Sequence, residues 1–279
     1  MVNDELQLVS GSDPVQVISF ELLKDQSSRG RRIRQKFLFA SLSSIPWVGG
    51  FIAAAAAIPS EEAALRKDEL RTKWLEEHRR KIEQLEETLV TIVVRFEEFG
   101  DEIEERIQSP EYLSLVRQAF RAWDSAETDD KRRFVANLLT NSACTRVCSD
   151  DVVRLFIAWL DQFHEAHFAV IREVSENPGT TRFDMWTEIY GELPREDSAE
   201  ADLYKMLIRD LSLGGVIRQA RGTNEAGQFV RKRPPRRRQS TPTTLESAFE
   251  DTKPYVLTTL GRQFVHYTLM GDIRRLEQA

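Results

Sequence analysis

Apolar residues recur along most of this chain at steps of three and four, the spacing that lines one face of an α-helix. The longest such run is Leu75, His78, Ile82, Leu85, Leu89, Ile92, Phe96, Phe99 and Ile103. It predicts one long amphipathic helix that opens at Ser60, with Glu61 and Glu62 in the first turn where the dipole favours negative charge, and runs to about Gln108. Val90, Val93 and Val94 widen the seam beyond the two positions per heptad that a paired coil uses. The expectation is therefore a helical bundle within one chain, with a homo-oligomer through the 75–103 seam as the alternative.

Three further helical patterns follow. Ser109 and Pro110 start one that carries Tyr112, Leu113, Val116, Phe120 and Trp123. Thr128, Asp129 and Asp130 start the next, with Phe134, Val135, Leu138 and Leu139 on its apolar side. From Ser149 a single helix, apolar nearly all round, is expected to reach the breaker cluster Asn177–Thr181; it holds Val152, Leu155, Phe156, Trp159, Leu160, Phe163, Phe168, Ile171 and Val174.

After Arg182 the rhythm changes. A short helix is followed by one capped at Ser198, bearing Leu203, Leu207 and Leu211 and stopped by Gly214 or Gly215. "VIRQA" reads as a strand, residues 221–254 as a polar excursion, "YVL" as a second strand, and a last helix is capped near Thr258 or Thr259. Helix, helix, strand, long turn, strand is the order of a winged-helix-like α+β module. The expected organisation is an N-terminal arm (1–36), an uncharged hairpin (37–59), a helical bundle (60–177) and the winged-helix-like module (178–279). The fold class is mainly α.

Residues 37–59 contain no charge. Pro46 and the Gly49-Gly50 pair interrupt them, and each half is too short to cross the ~30 Å hydrocarbon core at 1.5 Å per residue. A helix–turn–helix hairpin is expected, with Phe37, Phe39, Ile45, Trp47, Val48, Phe51 and Ile52 as its core-facing or membrane-facing residues. Burial in the bundle is the first reading. Seating on an anionic membrane surface, with Arg29, Arg31, Arg32, Arg34 and Lys36 on the headgroups, is the second, and a true span the third.

Composition adds little until it is localised. The net charge of -6 and pI near 5.5 argue against general attraction to nucleic acid. Two cysteines imply no disulfide framework, and the start lacks the basic-then-apolar pattern of a secretory signal. The expected location is the cytoplasm, with possible association at the cytosolic face of the inner membrane. Positive charge concentrates instead in the wing: Arg218, Arg221, Arg231, Lys232, Arg233, Arg236, Arg237 and Arg238. The first reading is a disordered loop whose charge keeps it solvated; the alternatives are contact with nucleic-acid phosphates, anionic lipid or an acidic protein. The helix that would enter a DNA groove is not basic, because Glu200, Asp202 and Asp210 offset Lys205 and Arg209.

Cys144, Cys148, His164 and His167 form a loose zinc-ligand pattern, weighed against packed cysteines and core histidines. No phosphate-binding glycine loop, nucleophile elbow or zinc-protease motif occurs. A non-enzymatic protein without cofactor is expected.

The segments "TDDKRRFVANLLTNSA", "FHEAHFAVIREV" and "LTTLGRQFVHYTLM" resemble the bacterial abortive-infection alpha family over about residues 112–270. The ending carries that family's LT-x-x-G-x-x-F pattern at Leu257, Thr258, Gly261 and Phe264. The resemblance implies a role in phage defence and carries over no catalytic residue. The implied function is to bind a partner, protein or nucleic acid, through the C-terminal module. The alternative is a membrane-acting effector using residues 37–59.

Overall fold

A computed structural model of the chain describes residues 28–48, 63–220 and 247–270. The protein is mainly helical, with one small antiparallel sheet. No helix among the described residues is long and apolar enough to cross a membrane. The helices are α1 (Ser28–Ser43), α2 (Ala63–Phe99), α3 (Glu104–Gln108), α4 (Pro110–Ser125), α5 (Asp129–Cys144), α6 (Asp150–Gln162), α7 (Glu165–Glu176), α8 (Arg182–Tyr190), α9 (Ala199–Leu213) and α10 (Thr259–Thr268). The strands are β1 (Ile217–Gln219) and β2 (Tyr255–Leu257). The chain divides into two compact units, residues 1–162 with 267–279, and residues 163–266. The second unit thus begins before the breaker cluster at 177–181.

In the first unit Leu85, Leu89, Ile92 and Phe96 of α2 are closed to solvent, while His78, Ile82 and Phe99 are half-buried; the helix expected to reach Gln108 stops at Phe99, and a 3-10 turn at Gly100–Ile103, with Ile103 buried, leads into α3. Val93 joins them, but Val90 and Val94 are exposed, so the seam is narrower than the sequence suggested. The two exposed valines project away from the line on which Leu89, Ile92, Val93 and Phe96 meet their neighbours. α1 lies against α3 and α4 and buries Phe37, Leu38 and Leu42; Ile45 and Val48, just after it, are buried too. The Phe37 ring meets Phe96 edge-on at 5.3 Å and Phe120 at 6.2 Å, a favoured arrangement for aromatic quadrupoles. Ser41 and Ser44 are buried with their hydroxyls donated to the carbonyls of Phe37 and Ser41. Trp47 donates its indole N–H to Asp124 at 2.7 Å and stacks on His78 at 5.0 Å. Phe39 is 63% exposed and so does not face the core; it shares the outer side of α1 with Lys36 and Ser43. Phe51 and Ile52 lie outside the described residues.

Local capping follows the sequence. Ser109 accepts from the Tyr112 amide, and Thr128 from that of Lys131. Trp123 donates to the Thr88 hydroxyl at 3.0 Å, tying α4 to α2. From α5, the side-chain amides of Asn137 and Asn141 donate to the carbonyls of Thr268 and Tyr267 at 2.8 and 2.9 Å. These are carbonyls at the C-terminal end of α10, which have no partner inside their own helix.

The single helix expected over 149–176 is two helices. The chain breaks at Phe163-His164, where the His164 backbone N–H donates to Nδ1 of His167 at 3.1 Å. That imidazole satisfies an orphan amide at a helix start, a function the sequence analysis assigned only to Ser and Thr.

The second unit holds α7, α8, α9, the two strands and most of α10. Thr181 and Asp184 cap α8 reciprocally, and Ser198 accepts from the Ala201 amide at the start of α9. Gly215, at φ 75°, supplies the left-handed residue that stops α9; Gly214 stays right-handed. β1 and β2 are antiparallel, with Ile217 opposite Leu257 and Gln219 opposite Tyr255. Tyr255 also exchanges backbone hydrogen bonds with Gly179 and Thr180, both at 2.8 Å, so a short extended rung precedes α8. Trp186, Tyr204 and Phe249 pack as one aromatic cluster. Phe264 packs on Phe168 and Phe163.

Candidate partner-binding surface

Helix α9 is apolar on more than one side. Tyr204, Leu207, Ile208 and Leu211 face the core of the second unit. Leu203, expected among them, is 50% exposed, and Met206 and Leu213 are 45% and 75% exposed. Residues three and seven apart share a helix side, so the three form a stripe displaced from the core line by about one residue. The sequence showed these apolar residues but not their side: only with 204, 207, 208 and 211 filling the inner face are 203, 206 and 213 left outside. Tyr190 and Leu193 at the end of α8 are also exposed.

The surroundings are acidic. Between Arg182 and Leu213 there are eight carboxylates and four basic side chains. Half of the basic charge is locally spent. Arg195 forms a fork with Asp197 at 2.8 Å in each arm, and Lys205 lies 3.8 Å from Glu196 and 3.9 Å from Asp202. Glu196 further accepts from the Ala248 amide at 2.9 Å and from the Ser247 hydroxyl. Burial works against the Glu196 charge, but these hydrogen bonds outweigh it and hold the carboxyl below its ordinary range. The Arg195 fork does the same for Asp197, and hydrogen bonds from its own backbone and Ser198 do so for Glu200. The negative field beside the apolar stripe therefore persists into mildly acidic solution.

Beneath this face His167 is buried, stacked on Phe163 at 5.0 Å, with Nε2 3.9 Å from Asp210. Burial pushes its pKa down; Asp210 pulls the other way without reversing the shift.

The remaining sequence candidates fare differently. Arg218 is exposed on β1, while Arg221, Arg231, Lys232, Arg233, Arg236, Arg237 and Arg238 lie outside the described residues. Among the described residues no group of His, Cys, Asp and Glu is arranged to hold a metal. The members of the zinc pattern are engaged locally. His164 and His167 make the helix start of α7. In the first unit burial raises the Cys144 thiol to about 12, the nearby Arg95 opposing weakly, and raises Cys148, whose amide donates to the Tyr267 hydroxyl. Thiols so held are poor thiolates and poor ligands.

The first unit also holds a groove of about 540 Å³ around Arg106 and Asp150. Arg106 grips Asp150 through two hydrogen bonds, at 3.0 and 2.5 Å, and lies over the Tyr112 ring. That fork keeps the Asp150 carboxyl low and ties α3 to the start of α6. Its geometry is that of a structural clamp.

No family model, curated protein or solved structure matches the chain.

Proposed function

We propose that the chain is a non-catalytic binding protein of the abortive-infection alpha type, and that residues 163–266 are a winged helix presenting α9 to a protein partner. The order α7, extended rung at 179–180, α8, α9, β1, long excursion, β2 supports the winged-helix reading. The family-like ending supports it too, because each of its residues has a structural task. Leu257 is buried in β2. Thr258 donates to the Gly215 carbonyl and accepts from the Gly261 amide. Gly261 lies against Val216, and Phe264 is fully buried.

The observation that carries the choice of partner is the exposed Leu203–Met206–Leu213 stripe with its carboxylates. In DNA-binding winged helices this helix enters the major groove. Here it would meet phosphates with acidic side chains, which opposes contact. A protein with a basic rim around an apolar patch complements it, since charge matching steers encounter while buried apolar contact holds the complex.

The membrane reading has less support. Phe37, Leu38, Leu42 and Ile45 are fully buried, and their removal from the core would cost about 25 cal/mol per Å² of apolar surface.

Protection of a bacterial host against a panel of phages tests the proposal. The wild-type chain should lower plating efficiency for at least one phage. The double variant Leu203→Asp/Met206→Asp should lose at least tenfold of that protection, with its melting temperature unchanged. Equal protection by the variant would remove the α9 face from the function, and no protection by the wild type would remove the defence assignment.

A further inference from the structure

We propose that a second groove of the first unit, between α2 and α5, binds a small phosphate-bearing molecule, with Arg95 as its counter-charge. The groove encloses about 520 Å³, within the size range of small-molecule sites. The inference rests on Arg95 and is independent of the α9 face.

Arg95 is half-buried, yet no carboxylate among the described residues lies within ion-pair distance of it. Among the described residues its one hydrogen bond is from Nη1 to Oδ1 of Asn137 at 3.1 Å. A guanidinium has five N–H donors, so four have no acceptor among the described residues. Charges withdrawn from water are normally paired. The aim of this charge is also set in advance. Asn137 is 4% exposed, and its amide nitrogen is donated to the Thr268 carbonyl at 2.8 Å, which turns Oδ1 toward Arg95. A buried side chain, anchored by one N–H to the Thr268 carbonyl, thus holds a guanidinium against an open groove through its carbonyl oxygen.

The other charges lining the groove leave the Arg95 end positive. Asp129 is engaged by Arg132 at 2.8 Å and by Gln84 at 3.0 Å, and Asp130 by Arg133 at 2.7 Å. Glu87 remains, but it lies two turns away on α2, about 12 Å at the helical rise. A ligand placing its anion at Arg95 can therefore avoid Glu87. A carboxylate fork takes only two N–H groups, whereas a phosphate offers three oxygens to the four available. Thr88, Thr91 and Ala136 also line the groove; both threonine hydroxyls are donated to α2 carbonyls, so the anion is left to Arg95.

The test titrates the full chain with inorganic phosphate at constant ionic strength, by calorimetry and by melting temperature, beside arms with adenosine monophosphate and with acetate. Saturable one-site binding of phosphate or of the nucleotide is expected, the stronger arm showing whether the free ion or an organic phosphate is preferred. Arg95→Gln keeps a donor for Asn137. It should weaken that binding at least tenfold, while its melting temperature in chloride alone equals or exceeds that of the wild type. Phosphate stabilises many proteins by exclusion from their surface, so an equal, non-saturating rise in wild type and Arg95→Gln would overturn the proposal. Saturation by acetate as tight as by phosphate would overturn the ligand class. If Arg95→Gln fails to fold, Arg95→Lys replaces it, with the same weakening expected because a point charge lacks the fork. Absence of saturable binding to the wild type overturns the proposal whichever variant is used.

Discussion

Gly261 touches the backbone of Val216 so closely that a Cβ there would stand 2.1 Å from the Val216 carbonyl oxygen. No rotamer relieves that contact, because the clash is with main chain on both sides. Gly261→Ala should therefore cost about 1–3 kcal/mol, the range for overpacking, seen as a lower urea midpoint. A change below about 0.5 kcal/mol would mean that α10 can slide away from Val216. The buried imidazoles provide a second residue-scale test. Burial lowers the pKa of both His167 and His266 from the ordinary 6.5. The unfolded chain then binds protons more readily than the folded one, so stability is complete above pH 6.5 and declines as pH falls through 6.5 toward the depressed folded values. Urea midpoints should fall between pH 7.5 and 5.5, a range above the depressed Asp150 carboxyl, whose own loss comes at lower pH. His167→Gln should flatten the slope. An unchanged slope would leave His266 alone to account for it.

At the scale of elements, α2 separates two kinds of apolar residue. Ile92 is fully buried among α-helical neighbours, whereas Val94, two residues on, is 46% exposed. Ile92→Asp should abolish cooperative unfolding, since an unpaired charge in the core cannot be accommodated. Val94→Asp should stay within about 0.5 kcal/mol of wild type. Circular dichroism during urea titration measures both. Loss of structure in Val94→Asp would show that this face is covered after all. The break between α6 and α7 belongs to the same scale. Side-chain spacing alone favours one continuous helix over 149–176, and a histidine cap three residues away decides otherwise.

For the whole molecule, the net charge of -6 matters less than where the charge sits. The α8–α9 stretch has twice as many acidic as basic side chains, and the basic run 231–238 follows it in sequence. If α9 serves a protein partner, Lys205→Glu/Arg209→Glu should leave any retardation of duplex DNA at 50 mM salt unchanged. Retardation that these two changes abolish would transfer the function of α9 to nucleic acid. With a Debye length of about 10 Å at 0.1 M salt, the measurement belongs at low ionic strength, where exposed charges still act at a distance.

By itself the sequence determined the helical class, the α2 seam from Leu85 to Phe96, the caps at Ser109, Thr128 and Ser198, and the order of the described elements from Arg182 onward. Each of these depends on residues close together in the chain, and periodicity and capping chemistry are local properties. Only the tertiary structure decided that Leu203 and Phe39 face outward, that Val93 but not Val94 joins the core, and that Arg95 stands without a carboxylate beside Asn137. Those outcomes depend on which surfaces meet: an apolar side chain is buried only where a neighbour covers it, and a charge is paired only where another element brings the counter-charge. Asn137 and Thr268 are separated by 131 residues, and no short-range pattern can place one against the other.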